Sequence, residues 1–189
     1  MTDLEEIYNV QKTADRIYSN ADIEAAIENM AVNINHFYQG LNPIVLCIMN
    51  GGVVFCGKLL PLLRFPLQFD YAHATRYNNT TDGKTLEWRV VPTLDLRGRD
   101  VLIVDDIYDV GETLAGVIEA CEKQKALSVK SAVLVNKVHD RKYDPSFSVD
   151  FVALEAGDRY LFGYGMDYKS YLRNAPGIYA VGNSLGCEA

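Results

Sequence analysis

Apolar residues Ile23, Ile27, Met30, Ala31, Ile34 and Phe37 recur every three or four positions, and this spacing predicts an amphipathic helix from about Asp22. Ser19 or Asn20 can cap its start and Gly40 can stop it. The next segment, Pro43 to Asn50 (PIVLCIMN), is apolar without alternation, as expected of a strand buried on both faces. Val53 to Leu63 then reads as a short helix ending near Pro61, and Leu67 to His73 as a second strand. The polar run Arg76 to Lys84 (RYNNTTDGK), followed by LEWRVVP, has the pattern of a long hairpin or flap. The strongest strand is Val101 to Asp105 (VLIVD), joined through DIYDVGET to an amphipathic helix over roughly Leu114 to Lys123. Ser131 to Val135 and Phe151 to Leu154 supply two further strands. Such alternation predicts an α/β fold with a central, mostly parallel sheet flanked by helices.

Composition narrows the class. The 189 residues suit one domain, and 49% hydrophobic with 23% charged residues excludes a disordered or low-complexity chain. Eighteen basic against 25 acidic residues leave a net charge of −7, so the broad basic surface that nucleic acids or anionic membranes select is missing. No apolar run approaches the roughly 18 to 20 residues of a membrane span, and the acidic start MTDLEEIYNV is unlike a signal peptide. A cytoplasmic location is expected. Cys47, Cys56, Cys121 and Cys187 lack CxxC spacing, which argues against structural zinc or a disulfide framework.

The candidate chemistry lies in Val101 to Thr113, VLIVDDIYDVGET. Asp105 and Asp106 end the apolar strand, and Asp109 precedes Gly111 at the entrance to the helix. In open α/β sheets the ligand site lies beyond the carboxyl ends of the strands. Backbone N–H groups from Asp109 through Val110, Gly111, Glu112 and Thr113, with the Thr113 hydroxyl and the helix dipole, can cradle a phosphate monoester. Ionised Asp105 and Asp106 accept hydrogen bonds only, which suits a ribose diol or hydrated magnesium.

This stretch closely resembles the phosphoribosyl pyrophosphate (PRPP) motif of type I phosphoribosyltransferases. The order of Met49-Asn50-Gly51-Gly52, the acidic motif, Lys137, Asp158-Arg159-Tyr160-Leu161 and Asp167-Tyr168 with Arg173 resembles the hypoxanthine-guanine branch. His73 to Tyr77 and Leu86 to Trp88 are similar to the flap of bacterial members.

The resemblance implies one phosphoribosyltransferase domain over residues 1–189. Its core would cover about 40–155, with a small hood from the chain ends, about 1–20 and 156–189, and a mobile flap carrying Thr75, Arg76 and Tyr77. It implies transfer of a 5-phosphoribosyl group from PRPP to a 6-oxopurine, with Mg2+ as cofactor. Asp109 would be the general base, and Asp105 and Asp106 would hold the ribose. The Asp109 to Thr113 turn would bind the 5-phosphate. Asn50, Gly51, Gly52 and Arg173 would bind pyrophosphate, with a cis peptide between Asn50 and Gly51. Lys137 would donate to the purine O6, Tyr160 would stack on the base, and the Leu161 backbone would read its edge. Asp167, with Asp105 and Asp106, would serve the metal. Several members carry Lys where this chain has Asn50, so a cation is missing there. A homodimer or homotetramer is implied, with the helix after Gly52 near the interface. Alternatives are transfer to xanthine or another base, and a regulator that senses PRPP without catalysis.

Overall fold

The computed structural model describes residues 4–76 and 86–182. Helix α1 (Leu4–Thr13) and strand β1 (Asp15–Ser19) lead into helix α2 (Asn20–Phe37). Ser19 and Asp22 form a capping box, each side chain bonding to the other's backbone N–H, which starts α2 cleanly. Strand β2 (Ile44–Ile48) and helix α3 (Val53–Leu59) follow. The helix expected to end near Pro61 keeps its α form only to Leu59, and a 3-10 turn covers Leu60–Leu62, because Pro61 offers no N–H to continue the α ladder.

Strands β3 (Gln68–Arg76) and β4 (Leu86–Val90) form an antiparallel pair, with Ala74 opposite Trp88. The segment expected to be the flap's tip, including Tyr77, lies outside the described residues. Strand β5 (Asp100–Tyr108) precedes helix α4 (Glu112–Lys123), then come β6 (Ser128–Val138), β7 (Phe151–Gly157), β8 (Leu161–Phe162) and β9 (Gly177–Ala180).

The main sheet has six strands in the order β4-β3-β2-β5-β6-β7, parallel except at β3–β4. Its core follows the period of two. Leu102 and Val104 pack with Val45 and Cys47 under α2 and α3, whereas Val101 and Ile103 pack with Ile44 and Leu46 under α4. Both faces are therefore covered, which explains why β2 reads as an unbroken apolar run.

A second sheet, ordered β1-β9-β8 and antiparallel, joins the two ends of the chain. Ile7 and Val10 of α1 pack beneath it against Phe162, Tyr168 and Val181. Among the described residues, Cys47, Cys56 and Cys121 are buried and free, and no helix is long and apolar enough to cross a membrane.

Candidate active site

Strands β3, β2, β5 and β6 run parallel, so their carboxyl ends open on one edge of the sheet, where two adjoining cavities lie. The first, about 290 Å³, is lined by Asn50, Gly51, Asp105, Asp106, Asp109, Gly111, Thr113, Asp167 and Arg173. The second, about 230 Å³, is lined by Asp106, Asp109, Lys137, Tyr160, Leu161, Met166 and Asp167. Asp106, Asp109 and Asp167 face both, so the two cavities share a wall of carboxylates.

Strand β5 runs three residues beyond the expected end at Asp105, because Ile107 and Tyr108 still pair with Val135 and Asn136 of β6. Asp105 and Asp106 therefore sit on rigid sheet rather than in a loop. Burial pushes the Asp105 carboxyl well above the usual carboxylate range, and the charge of Asp106 adds to the effect. Burial raises Asp106 too, against the opposing pull of its bond to Asp105 and of the Arg173 guanidinium. Asp105, Asp106 and Asp167 line one cavity and carry oxygen donors of the kind a hard divalent ion takes, but among the described residues these three do not bring their ligand atoms within 4.8 Å of one another. Asp167 accepts from the Ser170 N–H at 2.7 Å and pairs with Arg173 at 2.5 Å.

The turn before α4 passes through Gly111 at φ 91°, a left-handed conformation that a side chain would strain, as well as striking the Tyr108 ring. Gly51 stands so close to Asp106 that a side chain would collide with its carboxylate. Gly52 immediately precedes α3. The cis peptide joins Met49 to Asn50, one bond earlier than the expected Asn50–Gly51 bond, which corrects that expectation. Thr75 and Arg76 lie at the end of β3.

Asp109 accepts from Lys137 Nζ at 3.0 Å on one oxygen and contacts His139 Nε2 at 2.7 Å on the other. Partial burial works to raise its carboxyl, but these two hydrogen bonds outweigh burial and hold it below its usual value. Lys137 is nearly buried and also pairs with Asp158 at 3.2 Å. Tyr160 stands edge-on to Tyr168, with ring centroids 5.5 Å apart.

The family model of the phosphoribosyl transferase domain matches residues 13–170. The chain belongs to the phosphoribosyltransferase family. This phosphoribosyltransferase is 31% identical to the hypoxanthine-guanine-xanthine phosphoribosyltransferase of Tritrichomonas foetus over 163 residues, 86% of this chain and 88% of that protein. It is likewise 31% identical to the hypoxanthine-guanine phosphoribosyltransferase of Bacillus subtilis over 164 residues, 86% of this chain and 89% of that protein. A crystal structure of a hypoxanthine phosphoribosyltransferase from Staphylococcus aureus superposes with a TM-score of 0.85 at 23% identity, covering 97% of each chain, and so shares the fold.

In this phosphoribosyltransferase the segment after β6 adds contacts that sequence reasoning missed. His139 and Lys142 both reach back across it to the 108–110 turn. Lys142 Nζ donates to the carbonyls of Tyr108 and Asp109, and the Tyr143 N–H donates to the Val110 carbonyl at 2.8 Å. The signal available was modest: Lys137 and His139 stand two apart at the end of β6, the period that turns strand side chains to one side. Asp109, His139 and Asp158 place potential ligand atoms within 4.8 Å of one another, but the Lys137 ammonium already bridges the two carboxylates, so this cluster is an ion-pair network rather than a cation site.

Proposed function

We propose that this phosphoribosyltransferase works in purine salvage, transferring the 5-phosphoribosyl group of PRPP to hypoxanthine or guanine and releasing IMP or GMP and pyrophosphate. The observation that carries the reading is the shared wall: a cavity bounded by Lys137, Tyr160 and Leu161 opens at Asp109 onto one bounded by Asp105, Asp106, Thr113 and Arg173. A flat base in one and a ribose phosphate in the other would meet at that wall.

Roles follow from the donors and acceptors present. N–H groups of the turn from Asp109 to Thr113, at the start of α4, hold the 5-phosphate. Asp105 and Asp106 accept from the ribose hydroxyls. Asn50, Gly51 and Gly52 with Arg173 line the pyrophosphate end, where Arg173 supplies the positive charge that Asn50 lacks. Asp167, with Asp105 and Asp106, would hold magnesium, which when bound offsets charge on the departing pyrophosphate.

Lys137 has three N–H donors, two of them given to Asp109 and Asp158, and the third is offered to the purine O6. Asp109 keeps free lone pairs beside its two donors and accepts the N7 proton as the new glycosidic bond forms. Tyr160 presents a ring to the base and the Leu161 backbone reads its edge. Adenine, with a 6-amino donor facing Lys137, is rejected.

Incubating the protein with PRPP, magnesium and each purine base in turn, and following nucleotide by chromatography, tests this reading. IMP and GMP are expected. The name of the Tritrichomonas foetus relative adds xanthine as a third base to try. PRPP binding without any nucleotide product would favour the sensing regulator instead.

The proposal extends to assembly. Beside α3 an apolar groove of about 210 Å³ is lined by Met49, Val53, Leu60, Phe69 and Tyr71. Val53, Phe69 and Tyr71 are 45%, 49% and 45% exposed, a contiguous patch that a second copy would cover to give a homodimer or, with a further contact, a homotetramer.

A further inference from the structure

We propose that His139 is a positioning residue for Asp109, holding the carboxylate in the orientation from which it takes the purine proton. The inference rests on the purine-transfer reading and deepens it.

The imidazole is fixed at both nitrogens. Its Nδ1 accepts the backbone N–H of Arg141 at 3.0 Å, so the proton of the neutral ring resides on Nε2, which donates to Asp109 Oδ1 at 2.7 Å. The side chain is 3% exposed, too enclosed to be an incidental surface contact.

Nor does the contact stand alone. Arg141 sends its guanidinium to both oxygens of Asp158, at 2.6 and 2.8 Å, Asp158 accepts from Lys137, and Lys137 donates to Asp109 Oδ2. The hydrogen bonds thus form a closed circuit that begins at the backbone of Arg141 and returns to its side chain. With a donor on each oxygen, the Asp109 carboxylate cannot rotate about its last bond without losing one of them. Lys142 pins the backbone carbonyl of the same residue separately, so main chain and side chain are held by different groups.

During transfer the proton leaving N7 goes to Asp109. His139 keeps its own proton throughout, because its second nitrogen is already engaged by Arg141. The groups facing Asp109 are the cations Lys137 from β6 and Arg141 and Lys142 from the segment after it, with the neutral, titratable imidazole of His139 between them. Asp158 stands beyond Lys137, and Asp106 and Asp167 lie along the cavity wall.

The test uses His139→Phe, which fills the space without a donor, and His139→Gln, which restores a side-chain N–H. In the hypoxanthine assay His139→Phe should lower kcat by about 10²-fold, as misplacement of a catalytic group does, with KM for PRPP unchanged. The acid limb of its kcat/KM profile should move to higher pH, because Asp109 has lost a hydrogen bond that favours its ionised form. His139→Gln should recover much of the loss. In an Asp109→Asn background His139→Phe should cost nothing further, since no carboxylate remains to be oriented.

Wild-type kcat and an unmoved acid limb in His139→Phe, or an equal loss in the Asp109→Asn background, would overturn the proposal. A wild-type protein that makes no nucleotide would sink the purine reading. Nitrogen-15 NMR of the imidazole and carbon-13 titration of Asp109 would then decide the contact itself. An Nε2–H ring and an Asp109 titration raised by His139→Phe support it, whereas an Nδ1–H ring or an unmoved titration refutes it.

Discussion

Lys142 Nζ lies 2.7 Å from the backbone carbonyl oxygen of Asp109 and donates to it. The same ammonium donates to the carbonyl of Tyr108 at 2.8 Å and to Asn136 Oδ1 at 3.1 Å, and it sits 3.8 Å from the centre of the Tyr108 ring. Its three donors are thereby consumed, and the turn between β5 and α4 is tied to the segment that follows β6. Burial lowers the Lys142 pKa, and the negative charge of Asp109 opposes that fall.

Lys142→Met keeps the apolar stem over Tyr108 and removes the donors. Two part-buried carbonyls then lose a charged partner, at a cost of about 1 to 3 kcal/mol. A lower midpoint of thermal unfolding is expected, together with weaker PRPP binding by calorimetry if the turn before α4 holds the 5-phosphate as proposed, because that turn is no longer clamped. Unchanged stability and PRPP affinity would show that the turn holds its shape unaided.

Much of this arrangement was legible in the chain. The apolar runs of β2 and β5 announce themselves because both faces of the sheet are covered, and Ser19 with Asp22 marks the start of α2. The acids at Asp105, Asp106 and Asp109 could be read because they interrupt an apolar run at fixed spacing. Helix α1 escaped notice because only Ile7 and Val10 of its ten residues are buried, too few for a periodic signal. Strand β8 is two residues long, below any pattern. His139 and Lys142 were missed for another reason: their partners lie about thirty residues back along the chain, and only the β5–β6 pairing brings them together.

Lys137→Ala should raise KM for hypoxanthine and guanine and weaken discrimination against adenine, leaving PRPP affinity nearly unchanged. The geometry adds a second consequence. Lys137 separates the carboxylates of Asp109 and Asp158, so its loss leaves two like charges facing one another without the intervening cation. The acid limb of kcat/KM should therefore move to higher pH, as Asp109 loses one of the hydrogen bonds that lower it. Steady-state kinetics showing wild-type use of hypoxanthine would reduce Lys137 to a structural cation.

Asp158 carries the clearest stability signature with pH. Hydrogen bonds from Arg141 and then Lys137 lower its carboxyl from 3.8 to about 2. The folded value lies below the unfolded one, so its contribution to stability is complete above pH 3.8 and is lost as pH falls towards about 2. Thermal unfolding of the wild type should lose midpoint across that window more steeply than Asp158→Asn, whose side chain does not titrate. Parallel curves for the two proteins would mean that the pairing with Arg141 has no net effect on folding.

Phe69 lies on β3 and is 49% exposed at the groove beside α3, where Met49 lines both the groove and the first cavity. A partner seated on this patch would therefore buttress the segment that carries Asn50 and Gly51. Phe69→Glu places a charge on the patch, and burying an unpaired charge in an interface is strongly unfavourable. Size-exclusion chromatography with light scattering at micromolar concentration should find the wild type as a dimer or tetramer and Phe69→Glu as a smaller species. The variant should also bind PRPP more weakly, because the Met49–Asn50 segment loses its support, while the second cavity, which Met49 does not line, keeps its lining unchanged. A wild type that stays monomeric would rule out the interface. An oligomeric Phe69→Glu with normal PRPP affinity would place the contact elsewhere on the surface.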